Sequence, residues 1–393
     1  MPDDAPYLLD VTRLIWRRWK GRYPTGIDRV CLAYLRHFGP NAQAVIQYDG
    51  FRRILNSQAS RDLFALLEAP GTRFRSSLIL GLIKHLRPFE GEGCGRYYLN
   101  VGHTGLNSAR FARWVASADV KPVYLVHDLI PITHPQFCRP GEARKHNERM
   151  QTVLLTAKGV IGNSQATLDD LARFADAQGL KMPPAVPAWL GIDPLPVRTH
   201  LRPPDRPTFV VVGTIEGRKN HQMLLNIWSR LIARLGHEAP KLLIIGQRGW
   251  EAESVLRRLD EDETLCGHVV ELSHCSDDEL AGHFASARAL LFPSLSEGYG
   301  LPLAEALGMG VPVIASDLPV FREIAGSIPV YLSPFDDQAW EEAILDYASP
   351  ESPARAAQLE RVKSFRPYDW HRHFDRVETW LRTLGGTAKT LQH

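Results

Sequence analysis

Five short runs in the second half of the chain, Thr208–Gly213, Lys241–Gly246, His268–Leu272, Ala289–Pro293 and Val311–Ala315, are rich in Val, Ile, Leu and Phe. Longer stretches with helical spacing separate them. Short apolar runs alternating with helices read as parallel strands whose two faces are both covered, which is α/β layering of the doubly wound kind. The first half repeats the rhythm. Strands are expected at Tyr7–Val11, Tyr97–Val101, Pro122–Val126 and Gly159–Gly162, and helices over Ile27–Phe38, Ala109–Ala118, Gly141–Ala157 and Gln165–Ala177. Between the halves, Asp193–Pro207 holds five prolines, too many for a helix or central strand. The expected organisation is therefore a domain over 1–192, a linker over 193–207 and a second domain over 208–368. Residues 369–393 add a helix whose Trp370, Phe374, Val377, Trp380, Leu381 and Leu384 share one stripe and dock back toward the first domain.

The charge balance of 46 basic against 44 acidic residues, +2 net, argues against a general nucleic-acid coat. Five scattered cysteines form no CxxC pair, so neither a disulfide framework nor a structural zinc is expected, and a reducing cytoplasm suits the chain. The acidic start MPDDAPYLLD lacks a signal-peptide core, and the apolar run Leu78–Ile83 is far short of the ~20 residues of a spanning helix. The expected location is the cytoplasm, including the inner face of the plasma membrane.

Two segments carry chemistry. In Val210–Met223 a buried strand ends at Gly213, and a turn with Arg218 and Lys219 leads to a helix starting near His221. Two cations beside a helix N-terminus, at the carboxyl end of a parallel strand, suit an anion; the same residues also fit a solvated surface turn. GxGxxG and the GK[ST] phosphate loop are both absent here. In Pro293–Ser316 the loop Gly298-Tyr-Gly300 precedes Pro302, a residue suited to a helix start, which aims the amides of Gly300, Leu301 and Leu303 at a negative group. Glu297 and Glu305, with seven residues between them, are the only charges in this apolar segment, and each needs a partner.

Glu297 and Glu305 within SEGYGLPLAEALGMGVPVIASD resemble the E-x7-E segment of family 4 retaining glycosyltransferases, which have the GT-B fold. VVGTIEGRKNH is similar to that family's diphosphate turn, above all in its mannosyltransferase-like branch, and PTGIDRV, VYLVHDLIPITHP and GVIGNSQAT match in order. The resemblance implies two Rossmann-like domains facing a cleft and a nucleotide-sugar donor, GDP-mannose or a UDP-sugar, with no metal or other cofactor. It implies that Arg218 and Lys219 neutralise the diphosphate beside Gly213, Thr214, Gly298, Gly300 and Leu301. Glu305 would hold the ribose, Glu297 the transferred sugar, and the segment at His274 and Cys275 the base. His127 would face the sugar, and Thr25 and Gly26 the diphosphate or acceptor. Two departures stand out: Thr214 occupies a position that is often arginine, and Gly26 is a single glycine.

Other readings stay open for several residues. His127 also fits a core histidine, Asp128 a cap, and Asn163 and Ser164 caps of the next helix. In the first half, Arg13, Arg17, Arg18, Lys20, Arg22 and Arg29 interleave with Trp16, Trp19 and Tyr23; Arg73, Phe74, Arg75, Lys84, Arg87 and Phe89 flank Leu78–Ile83. Such segments suit an anionic bilayer or a lipid-linked saccharide acceptor, or else form an ordinary basic face. A UDP-sugar or deoxysugar transferase, a sugar-nucleotide epimerase and a non-catalytic nucleotide-sugar-binding module are the competing classes.

Overall fold

The computed structural model describes residues 5–21, 25–48, 51–69, 74–84, 93–196 and 204–385. Arg22, Tyr23, Pro24, Arg73, Arg87 and Phe89, the side chains of Leu82, Ile83 and Lys84, residues 197–203 of the expected linker and the tail 386–393 lie outside that description.

Two compact units emerge. One gathers the described residues of Met1–Leu129, Arg144–Leu190 and Trp370–His393; the other gathers those of Ile130–Ala143 and Gly191–Asp369. Residues 130–143, expected with the first domain, thus group with the second unit. The reason is local. The Trp250 indole donates to the Phe137 carbonyl (3.3 Å), and the Arg139 guanidinium lies 4.8 Å from the Trp250 ring.

The first unit holds β1 (Tyr7–Asp10), β2 (Ala42–Tyr48), β3 (Phe51–Ile54), β4 (Arg96–Asn100), β5 (Val120–Val126), β6 (Gly159–Gly162) and β7 (Ala185–Pro187) in the order β3-β2-β1-β4-β5-β6-β7. All pairs are parallel except β2 with β3. The second unit holds β8 (Thr208–Val212), β9 (Lys241–Ile245), β10 (Val269–Leu272), β11 (Ala289–Phe292), β12 (Val313–Ser316) and β13 (Val330–Leu332), all parallel, in the order β10-β9-β8-β11-β12-β13. This is the doubly wound order, and its switch point lies between β8 and β11. Its core packs Phe209, Trp228, Ile244 and Trp340. Both indoles are satisfied, Trp228 by the Pro240 carbonyl (2.8 Å) and Trp340 by that of Ser333 (3.0 Å).

The helix Trp370–Gly385 belongs to the first unit and buries His373, Phe374, Val377 and Leu381. The Phe374 ring stacks on His37 at 3.9 Å and meets Tyr34 edge-on. The His373 Nδ1 must carry the proton, because it faces the Trp189 carbonyl at 2.8 Å; Nε2 then accepts from the Tyr34 hydroxyl at 2.9 Å. A Cβ on Gly159 would sit 2.5 Å from Trp380, so the first residue of β6 has to be small for this helix to seat.

Candidate functional site

The chain leaves β8 through Gly213. Its φ of +142° favours glycine, and so does the Lys219 side chain, which a Cβ at this position would meet at 3.2 Å. Ile215 then pairs its amide with the Gln247 carbonyl (2.9 Å), and a single 3₁₀ turn, Gly217–Lys219, brings the cations round. Asn220 takes the left-handed conformation (φ +58°), and the helix His221–Leu235 begins. The loop after β11 lies alongside this turn because β11 is the neighbour of β8. The Leu295 amide donates to the Arg218 carbonyl (2.8 Å), and the Arg218 guanidinium donates to the Ser296 carbonyl (3.1 Å).

Glu297 therefore meets partners 78 and 79 positions away in sequence. Its Oε1 takes the Lys219 ammonium at 2.5 Å and the Ser294 hydroxyl at 2.7 Å, and its Oε2 takes Arg218 at 2.9 Å. Arg218 also reaches Glu216 at 2.7 Å. Burial alone would push the Glu297 carboxyl up, yet Arg218 and Lys219 outweigh it and hold the group down at about 2. Glu216 goes the other way: burial raises it, and Arg218 and Lys219 pull it back only in part. The two cations expected to face an anion are therefore already engaged. With Glu216 and Glu297 they form a neutral, largely buried cluster.

The helix Leu301–Gly308 starts after Gly300 (φ +108°) with Pro302 in its first turn. The Leu303 amide, expected to face outward, donates instead to the Gly300 carbonyl (3.0 Å), leaving the amides of Gly300 and Leu301 without an acceptor among the described residues. Glu305 is buried in the second turn of this helix. Gly298 lies between Glu297 and this helix start. His274 is exposed, its Nδ1 against the Ser273 hydroxyl, and with Cys275 it follows the edge strand β10, which β9 separates from β8.

In the first unit, His127 is buried beyond the end of β5 and its Nε2 donates to the Val101 carbonyl (2.7 Å). Burial holds its imidazole down at about 4, so it is neutral near pH 7 and presents Nδ1 as an acceptor. Asn163 does not cap the next helix; its amide donates to the His127 carbonyl (2.8 Å), and Ser164 does the capping at Thr167. Thr25 is the cap of the helix Gly26–Phe38, with Asp28 accepting from both its amide (2.7 Å) and its hydroxyl (2.8 Å). Arg13 and Arg17, counted with the basic face, each bond the buried Asp28, at 2.7 and 2.8 Å.

Sequence reasoning missed Glu216 and Ser294. Each carries a signal: Glu216 is a charge two residues before Arg218 in the turn after a buried strand, and Ser294 precedes Glu297 by three. Among the described residues no three His, Cys, Asp or Glu side chains are placed to hold a metal ion. Chemically, the β8–β11 switch point holds two cations paired with carboxylates, the open amides at a helix start and an ionised carboxylate of the kind that accepts hydroxyl hydrogen bonds.

A family model described as Glycosyl transferases group 1 matches residues 206–349. Over 251 residues the chain is 29% identical to the serotype-specific mannosyltransferase WbdA of Escherichia coli, covering 60% of this chain and 29% of that protein. Over 159 residues it is 33% identical to the O-antigen chain mannosyltransferase B of Escherichia coli, covering 40% of this chain and 41% of that protein. The chain thus spans less than half the length of these curated relatives. A crystal structure of HepE from Anabaena in complex with UDP and glucose superposes with a TM-score of 0.69 at 14% identity, covering 96% of this chain and 100% of that one. That likeness concerns the fold, and with the two doubly wound sheets it makes this a GT-B chain.

Proposed function

We propose, on the premise that residues 206–349 match the group 1 glycosyltransferase model, that the chain is a retaining glycosyltransferase. It moves a hexose, mannose from GDP-mannose first among the candidates, onto a lipid-linked or surface-polysaccharide acceptor. The supporting observation is the cluster at the β8–β11 switch point, where Arg218, Lys219 and Glu297 meet beside the open amides of Gly300 and Leu301. In this reading the two cations and the helix amides stabilise the departing diphosphate, an electrostatic term of the oxyanion-hole kind. The C1–O bond to the diphosphate breaks as the acceptor hydroxyl bonds to C1 on the same face, and the hydroxyl proton passes to the leaving phosphate oxygen. Glu305 holds the ribose, Glu297 the sugar, and neutral His127 accepts a hydroxyl hydrogen bond. His274 and Cys275 lie by the base, Thr25 and Gly26 by the diphosphate or acceptor, and no metal is needed.

The test is a donor screen across GDP- and UDP-sugars that follows nucleotide release and sugar transfer. Glu297→Ala and Lys219→Ala should each lose ~10²–10³ in rate. Wild-type rates in both variants would overturn the site assignment. The mannosyltransferase names of the curated relatives favour GDP-mannose.

A membrane-facing acceptor has its own supporting observation. Trp16, Tyr48 and Phe51 are exposed at 39, 67 and 80%, Trp16 stacks on Tyr48, and Lys20 lies over Trp16. No described helix is long and apolar enough to cross a membrane. Cosedimentation with anionic but not neutral vesicles, lost in a Trp16→Ala, Lys20→Glu variant, is the expected result.

A further inference from the structure

Glu216 has no part in the reading above, yet its side chain is the most buried of the four charges, 3% exposed against 7% for Glu297, 8% for Lys219 and 22% for Arg218. The two carboxylates are unequally provided for. Glu297 has Lys219, Arg218 and Ser294, whereas among the described residues Glu216 forms its ion pair with Arg218 alone. A nucleoside diphosphate sugar would bring two more negative charges to a cluster that is already neutral. Arg218 is the most exposed member and the one shared between carboxylates, so its guanidinium is the best placed to turn outward. Glu297 would then keep Lys219 and Ser294. Glu216 would lose its ion pair, and a buried carboxylate in that position is more stable protonated.

We propose that Glu216 is a positioning residue that holds Arg218 while the turn is empty and takes up a proton from solvent when a diphosphate draws Arg218 away. Donor binding is thereby linked to proton uptake. The proposal rests on the diphosphate reading of the turn. The groups around Glu216 fit it. Arg218 and Lys219 stand on its own turn and Glu297 on the loop after β11. From the loop after β9, Gly249 packs against the Glu216 Cβ, and Glu251 crowds Gly217 with its carbonyl and Cβ. Arg248 of that loop is engaged with Asp260 and Glu271. Phe137, the residue of 130–143 beside Gly217, adds no charge. Burial already raises the Glu216 carboxyl in the presence of Arg218, so losing that pair raises it further.

Calorimetric titration with GDP-mannose and UDP-glucose, in buffers of differing ionisation enthalpy between about pH 6 and 8, counts the protons. A diphosphate esterified at both ends has no titrating proton near neutrality, so any uptake belongs to the protein. Net proton uptake, of at most one proton per site, is expected. Affinity is then greatest below the free-state pKa of Glu216 and weakens by up to about tenfold per pH unit above it. Glu216→Gln should abolish the uptake, flatten the pH profile and bind at least as tightly as wild type at about pH 8, because nothing holds Arg218 back. Glu216→Asp should retain the uptake. Should the Gln variant not fold, the wild-type proton count and pH slope decide alone. Binding without uptake, or uptake unchanged in Glu216→Gln, overturns the inference and leaves the diphosphate reading standing. Failure of folded wild type to bind any nucleoside diphosphate sugar overturns both.

Discussion

At the scale of residues, one of the two glutamates that interrupt the Pro293–Ser316 segment anchors the charge cluster at the switch point. Glu297 is held by Lys219, Arg218 and Ser294, and removing one leaves a buried charge underprovided. Lys219→Ala should therefore destabilise the second unit by ~3–5 kcal/mol, with much of the loss recovered in a Lys219→Ala, Glu297→Gln double variant. Urea denaturation of wild type, both single variants and the double variant measures the coupling; additive effects would mean that the two residues stand independently. Gly300 is constrained twice. Its φ is +108°, and an added Cβ would lie 2.7 Å from the Phe321 ring. Gly300→Ala should cost about 1–3 kcal/mol by thermal denaturation and displace the helix amides beside Glu297. The glutamates and their spacing are legible in the sequence. Their partners are not, because a residue's neighbours across a sheet depend on strand order, which no local pattern encodes.

At the scale of elements, most strands legible in the sequence are apolar runs buried on both faces, such as Ala289–Phe292 and Gly159–Gly162, while β10 is legible from its valines although none of its residues is fully buried. β2, although mostly buried, and β3 are hidden by their polar residues. Gln43 and Gln47 interrupt β2, and β3 is an antiparallel edge strand with Arg52 and Arg53 at its centre, so neither shows a continuous apolar run. β7 and β13 have only three residues each. The helix Trp370–Gly385 is legible from its three-and-four spacing; Phe374, Val377 and Leu381 of the expected stripe are buried, joined by His373, while Trp370, Trp380 and Leu384 are half-buried. Phe374 sits between Tyr34, His37 and Phe38, so Phe374→Ala should cost the first unit ~3–5 kcal/mol, read from the urea midpoint. A loss under about 1 kcal/mol would mean that the helix contributes little to the stability of that unit.

At the scale of the whole molecule, buried histidines set the response to acid. Burial holds His127 and His373 down at about 4 and His221 at about 3. The unfolded chain takes protons on these residues below about pH 6.5, whereas the folded chain does not until near pH 4. The unfolded state therefore binds more protons in that window, and stability falls as pH drops from about 6.5 to 4. Glu297, held at about 2, extends the loss from about pH 4.5 downward. Urea midpoints measured across this range should show the decline. His221→Leu should reduce its slope and raise stability near pH 5, since neither ring nitrogen of His221 has a partner among the described residues. An unchanged slope in that variant would assign the acid response to other groups.

Two kinds of information meet in this chain. Alternation of apolar runs with helical stretches, the proline-rich break and the positions of Arg218, Lys219, Glu297 and Glu305 are local properties, carried by composition and period, and they follow from the sequence alone. That β11 lies beside β8, so that charges 78 residues apart form one cluster, is a product of strand order and emerges only when the sheet assembles. The physical reason is desolvation. Once the strands bury the ends of both loops, each charge has to find its counterpart within reach. Glu216 acquires its place through that requirement and through no motif.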